Sequence, residues 1–166
     1  VSVNSVGSML ESMPPGIIGV AYDVLDLSIS PWTFHDKDAF HSDRTSPFDL
    51  TFSSICGGLL ESFQGSAPNA LVVAQCIGPQ FESPSEIDAL ERLGANVVGM
   101  TLGPEQRLIS ETGIPHVSLP CSSNWAAGRT PGDPSAVIDH HSVEEMASGM
   151  RELVARCVLK LMVKID

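Results

Sequence analysis

The chain has 166 residues, 43% of them hydrophobic and 17% charged, which is enough apolar material for one folded domain and too much for a disordered segment. Nine Lys+Arg against 20 Asp+Glu give a formal net charge of −11, a field that repels polyanions and argues against nucleic acid or an anionic membrane as partner. No apolar run reaches the roughly 18 residues of a membrane span, and Cys56, Cys76, Cys121 and Cys157 form no CxxC pair, so a reduced, cytoplasmic protein is expected.

Residues 1–3 read as the end of a core strand and residues 4–8 (Asn-Ser-Val-Gly-Ser) as the turn that follows it. A domain seldom opens in mid-core, so the chain is expected to be part of a longer protein. Residues 16–24 are a second apolar strand, entered through Pro14-Pro15-Gly16. Residues 28–53, rich in Ser, Asp, Pro and His, read as one long loop. A buried-type strand follows at residues 71–77. Ser83, Pro84 and Glu86 then predict a helix start, with Ser83 as N-cap, Pro at the first helical position and Glu86 closing a capping box. Ile87, Leu90 and Leu93 form its apolar stripe and Gly94 ends it. Residues 95–101 predict a strand, 104–112 a short helix stopped by Gly113, and 116–122 another strand running into a loop over 123–134. Residues 142–145 (Ser-Val-Glu-Glu) read as a second capping box, opening one helix with Val143, Met146, Met150, Leu153, Val154, Cys157 and Val158 on a single face. Alternating strands and helices predict an α/β fold with a largely parallel sheet and no internal repeat.

In such folds ligands sit at the carboxyl ends of strands. The segments 4–8, 78–83, 99–103 and 122–128 leave predicted strands through polar or glycine-containing turns. They offer the hydroxyls of Ser5, Thr101 and Ser123, the Glu82 carboxylate, the Asn124 carboxamide and the apolar surfaces of Phe81, Met100 and Trp125. This set can hold a planar heterocycle between Phe81 and Met100 while Glu82 and Asn124 read its polar edge. Structural readings stand beside the functional ones. Asn124 is equally an Asx-turn residue, Glu82 a first-turn acid favoured by the helix dipole, Thr101 a strand-end hydroxyl, and Phe81 and Met100 core. The five histidines lack metal-ligand spacing, and no cysteine has the electropositive setting of a nucleophile.

The stretch GPQFESPSEIDALERLGANVVGMTLGPE, from Gly78 to Glu105, closely resembles the purine nucleoside phosphorylase and methylthioadenosine phosphorylase family. The match continues upstream in Asn-Ser-Val-Gly-Ser at 4–8 and downstream in Ser-Asn-Trp-Ala-Ala-Gly at 123–128. The resemblance implies a three-layer α/β/α fold around a mixed sheet, with residues 1–166 a single, partial domain lacking its N-terminal part. It implies phosphorolysis, in which phosphate displaces a purine from C1′ through an oxocarbenium-like transition state, so catalysis means stabilising the departing base and positioning phosphate. By that resemblance Asn124 is the catalytic contact to the purine near N7 and O6, and Glu82 accepts from N1–H. Phe81 packs on the ring, Met100 lies under the sugar, Val6 and Gly7 line the base, and Ser123 and Ala126 flank Asn124. Asn4, Ser5 and Thr101 bind phosphate, which is the co-substrate, with no other cofactor and no metal.

His41, in His-Ser-Asp-Arg-Thr-Ser-Pro-Phe, is similar to the family segment that reaches into a neighbouring subunit of a homotrimer; a solvated loop histidine is the competing reading. His140 or His141 is a candidate for the 5′ side of the sugar, with flanking of a helix cap as the competing reading, and His35 and His116 are left as structural. Asn124, Ala126 and Glu82 stand where adenine-selective members resemble Asp, a second acid and a small hydroxyl. The pattern therefore implies a 6-oxopurine nucleoside of the inosine or guanosine type, in purine salvage. Methylthioadenosine or methylthioinosine phosphorolysis is the alternative within the family, and a non-catalytic purine-binding chain the alternative outside it. The sequence departs from the family in three respects. It carries neither the glycine-rich phosphate loop nor the Arg-His pair of the family's preceding half, residues 22–36 are shortened, and Trp125 is an unusual neighbour for Asn124.

Overall fold

A computed structural model describes residues 1–29 and 32–165, so residues 30 and 31 of the stretch read as a long loop lie outside the described residues. In chain order the elements are β1 (Ser2–Ser8), β2 (Ala21–Asp26), α1 (Leu50–Gln64), β3 (Leu71–Gln75), α2 (Pro84–Arg92), β4 (Val97–Gly99), α3 (Leu102–Ser110), β5 (Ser118–Trp125), α4 (His140–Gly149) and α5 (Arg151–Ile165). The strands form a sheet of order β2-β3-β4-β1-β5. β2, β3 and β4 run parallel, β1 is antiparallel to β4, and β5 is parallel to β1. The largely parallel sheet expected from the element pattern is divided by one reversal, giving the mixed sheet that the family resemblance implies.

Strand alternation sends neighbouring residues to opposite faces. Val73 and Val97 pack with Leu102 of α3 on one side, while Ala74 and Val98 pack with Ile87 of α2 on the other. A third cluster joins Cys56 and Leu60 of α1 and Cys157 and Leu161 of α5 to Leu119 and Cys121 of β5. Among the described residues no helix is long and apolar enough to cross a membrane, and all four cysteines are free thiols.

The α2 start is as expected. Ser83 Oγ accepts from Glu86 N at 3.3 Å, Glu86 Oε2 accepts from Ser83 N at 2.7 Å, and Gly94 takes a φ of +98° just past the helix. Six expectations need correction. Residues 4–8 are not a turn, because β4 and β5 pair with them on both sides and leave a bulge between Val6 and Gly7. The second strand begins at Ala21, since residues 16–20 are drawn towards β5, where Gly16, Gly19 and Ser122 exchange backbone bonds with their neighbours. The long loop ends at Asp49, whose side chain accepts from Phe52 N at 2.8 Å and opens α1. β5 runs on through Trp125, three residues into the predicted loop. Finally, α4 is capped not by Ser142 but by Asp139, which accepts from both Ser142 N and Ser142 Oγ at 2.9 Å. The long terminal helix breaks at Met150, after Ser148-Gly149, where a weak helix-forming pair meets a side chain drawn into the core.

Candidate active site

The reversal between β4 and β1 creates the site. Gly7 pairs with Val98, and a Cβ at Gly7 would lie 3.1 Å from Asn124 Nδ2, while one at Gly99 would lie 3.2 Å from Ser5 O. The missing side chains let β4, β1 and the end of β5 converge on a cleft of about 220 Å³. Its base is Ser5–Gly7 of β1 with the Val98–Thr101 segment. Pro79, Phe81 and Glu82 form one wall, and Asn124 and Ala126 another. Ile138, His140 and Val143, at the start of α4, close the third side. The cleft therefore lies where strands of opposite direction meet, not along a row of parallel carboxyl ends.

The sequence-predicted base and sugar residues Val6, Gly7, Phe81, Glu82, Met100, Asn124 and Ala126 all line this one cleft. Gly78 allows the Phe81 loop to fold over Met100: its φ is +68°, and a Cβ there would lie 2.6 Å from Met100 Sδ. Glu82 Oε1 is buried with no hydrogen-bond partner among the described residues, a state that costs free energy unless something fills it. Burial and the neighbouring Glu82 carboxylate push the Cys76 thiol up to about 12, which removes it as a nucleophile. Asn124 is held at both ends of its amide. Oδ1 accepts from Ser123 Oγ at 3.0 Å, and Nδ2 donates to Trp125 O at 2.8 Å, leaving its second N–H for the cleft. It sits on the end of β5, so the Asx-turn reading gives way to a strand-end carboxamide.

Ser123 is buried behind this wall, with its Oγ 2.6 Å from Ser5 Oγ and 3.3 Å from Val6 O. Asn4 is buried too. Its Nδ2 donates to Thr101 Oγ1 at 2.8 Å and to Glu105 Oε2 at 3.3 Å, and its Oδ1 accepts from Ser118 Oγ at 3.3 Å. Of the three predicted phosphate residues, Ser5 and Thr101 line the cleft and Asn4 supports Thr101 from behind.

Other predicted residues lie elsewhere. Trp125 is outside the cleft wall, where its carbonyl holds Asn124. His41 lines a separate cavity of about 410 Å³ with Trp32, Arg44 and Arg107. His140 reaches the cleft and pairs with Glu144 at 3.3 Å, whereas His141 pairs with Glu145 at 3.7 Å on the solvent side of α4. His116 is structural: it is 4% exposed, its Nε2 is 2.8 Å from Ser2 Oγ, and Phe48 stacks obliquely on it. Sequence reasoning missed Ile138 and Val143, whose wall exists only because α4 folds back over the cleft, and Glu105, whose one-turn spacing from Thr101 was its only signal.

A family model described as the Phosphorylase superfamily matches residues 1–162. A probable S-methyl-5′-thioinosine phosphorylase of Methanothermobacter thermautotrophicus is 36% identical over 132 residues, which is 79% of this chain and 45% of that protein. The 6-oxopurine nucleoside phosphorylase of Pyrococcus furiosus is 28% identical over 170 residues, covering 96% of this chain and 62% of that one. The chain thus spans roughly half to two thirds of the length of these relatives. Among solved structures, methylthioadenosine phosphorylase from Schistosoma mansoni in complex with adenine superposes with a TM-score of 0.85 at 18% identity, over 98% of this chain and 64% of that one. Schistosoma purine nucleoside phosphorylase in complex with guanosine gives 0.85 at 18%, over 99% and 62%. At that identity the likeness is one of fold.

Proposed function

This chain belongs to the phosphorylase superfamily, and on that premise we propose that it carries the purine side of a site for phosphate-dependent cleavage of 6-oxopurine nucleosides to free base and ribose 1-phosphate. The carrying observation is the unpartnered, buried Glu82 Oε1 beside a cleft that also receives an Asn124 N–H. A 6-oxopurine offers an N1–H donor to the carboxylate and an O6 acceptor to the carboxamide. A 6-aminopurine offers the reverse pattern, leaving buried groups unpaired at about 1–3 kcal/mol each.

In the reaction the C1′–N9 bond breaks, a C1′–O bond to phosphate forms, and the base departs with the electron pair and takes up a proton. Asn124 stabilises the charge growing on the base, and Ser123 and the Trp125 carbonyl keep its amide from turning. Phe81 and Met100 hold the ring and sugar, and the Thr101 and Ser5 hydroxyls face phosphate. A second reading, S-methyl-5′-thioinosine as substrate, is favoured by the apolar Ile138 and Val143 at the α4 end of the cleft, and it keeps the same base. As a homotrimer, one copy would offer its His41 loop to the next copy's cleft. Four free thiols support a reducing, cytoplasmic setting in purine salvage.

The test is chromatographic. The full chain is incubated with equal inosine, methylthioinosine and methylthioadenosine, with and without phosphate, and the free bases are quantified. Hypoxanthine released only with phosphate is the expected result. Adenine as main product overturns the base assignment, and no base from any substrate overturns catalysis by this chain.

A further inference from the structure

Resting on the phosphorolysis reading, we propose that Glu105 is a positioning residue: acting through the Asn4 carboxamide, it turns the hydroxyl proton of Thr101 into the cleft as a donor for the attacking oxyanion. A threonine hydroxyl has one proton, and it serves an anion only if that proton points at the anion. Two groups around Thr101 settle where it points.

Thr101 is the N-cap residue of α3, a position where the side chain usually accepts from the helix's own N–H groups. Here it makes no such bond. Gln75 does the capping instead, its Oε1 accepting from Gly103 N at 2.7 Å while its Nε2 donates to Cys76 O at 2.6 Å. The Thr101 hydroxyl is left free of the helix. Asn4 then fixes its role. A carboxylate only accepts, so the end of the Asn4 amide facing Glu105 Oε2 at 3.3 Å has to be the NH2 group. Its second hydrogen goes to Thr101 Oγ1 at 2.8 Å, and Oδ1 is engaged by Ser118 at 3.3 Å. Asn4 is 3% exposed, so no bulk water competes for the amide. Reversing the amide would set two acceptors against each other at Glu105. Thr101 Oγ1 is therefore an acceptor from Asn4, and its proton turns to the cleft that Thr101 lines. Among the described residues lining the cleft there is no Lys or Arg, so a hydroxyl held as donor carries more of the anion's stabilisation.

The experiment measures binding of inorganic phosphate and of hypoxanthine to the full chain by calorimetric titration, for the unsubstituted protein, Glu105→Ala, Glu105→Gln and Asn4→Asp. Glu105→Ala is expected to weaken phosphate roughly tenfold, the worth of one charge-directed hydrogen bond, with hypoxanthine unchanged. Glu105→Gln, whose carbonyl oxygen still accepts, restores most of the affinity. Asn4→Asp weakens phosphate at least as far as Glu105→Ala, because the new carboxylate takes the Thr101 proton for itself. Equal phosphate affinity in all four proteins overturns the proposal, as does a parallel loss of phosphate and hypoxanthine, or no phosphate binding by the unsubstituted chain. The turnover assay stands apart: graded phosphate binding without base release overturns the reaction and leaves the positioning role intact.

Discussion

At the scale of single residues, Gly7 and His116 each carry a measurable consequence. The backbone of Gly7 is open to any residue, since its φ is not in the left-handed region, but its Cβ position lies 3.1 Å from Asn124 Nδ2 and 3.3 Å from Ala126 Cα. Gly7→Ala is therefore expected to shift the Asn124 carboxamide by a few tenths of an ångström without unfolding β1. The readout is kcat/KM for inosine, down about tenfold or more, with the melting temperature nearly unchanged. His116 acts on stability instead. Burial pulls its pKa down from 6.5 to about 4, and its Nδ1 has no partner among the described residues. The unfolded chain binds the proton first, so stability is complete above about pH 6.5 and falls as pH drops towards 4, by about 3 kcal/mol in all. Carboxyls held low in the fold, such as Asp26 and Glu111, begin to lose their contribution about one pH unit above their unfolded values of 3.8 and 4.5. Denaturant midpoints between about pH 5.5 and 6.5 thus report His116 apart from these carboxyls, and a flat profile there would contradict its burial as a neutral ring.

At the scale of elements, two aspartate caps make different predictions. Asp49 opens α1, which packs on α5 far from the cleft, so Asp49→Ala is expected to cost about 1 kcal/mol with nucleoside KM unchanged. Asp139 opens α4, whose first turn supplies His140 and Val143 to the cleft. Asp139→Ala is expected to lower the melting temperature by a few degrees and also to raise nucleoside KM, whereas Ser142→Ala does little. Kinetics on the two cap variants separate the effects. The caps also explain what the sequence could reveal. α2 was legible because its Ser83–Glu86 box and its Ile87, Leu90 stripe are local and adjacent. α1 was not, because its cap falls inside a polar stretch and its one-sided stripe of Phe52, Cys56, Leu59, Leu60 and Phe63 is interrupted by the weak helix formers Gly57 and Gly58. The direction of β1 was not legible either. Pairing of Gly7 with Val98 joins residues 91 positions apart, and no local pattern encodes the sense of such a pair. The site residues were readable through the wording of 78–105 and 123–128, while the hydrogen bond that gives Glu105 a role and the α4 wall emerge only from tertiary contacts.

At the scale of the whole molecule, α1 and α5 are widely separated in sequence yet pack together and close the core over β5. Cys56 and Cys157 meet in that seam, with Cys157 Sγ 4.0 Å from Cys56 O, and Cys121 of β5 belongs to the same cluster. Each is a thiol that reagent can reach only when the core opens. Cys121 is further quieted by burial, which pushes it up to about 12, as Cys76 is by burial and Glu82. An aromatic disulfide reagent at pH 8 is thus expected to modify all four cysteines at once in denaturant, and in native buffer Cys76 slowly and the other three more slowly still. Exchange by global unfolding follows the population of the unfolded state, in which the cleft is lost as well, so a bound base slows it. Hypoxanthine at about 100 times its Kd adds about 2.7 kcal/mol to the closed state and slows the three core thiols about a hundredfold. Adenine, mispaired at Glu82 and Asn124, slows them far less at the same concentration. Equal protection by the two bases would detach the cleft's hydrogen-bond pattern from its selectivity, and rapid reaction of all four thiols in native buffer would mean that α1 and α5 do not close the core.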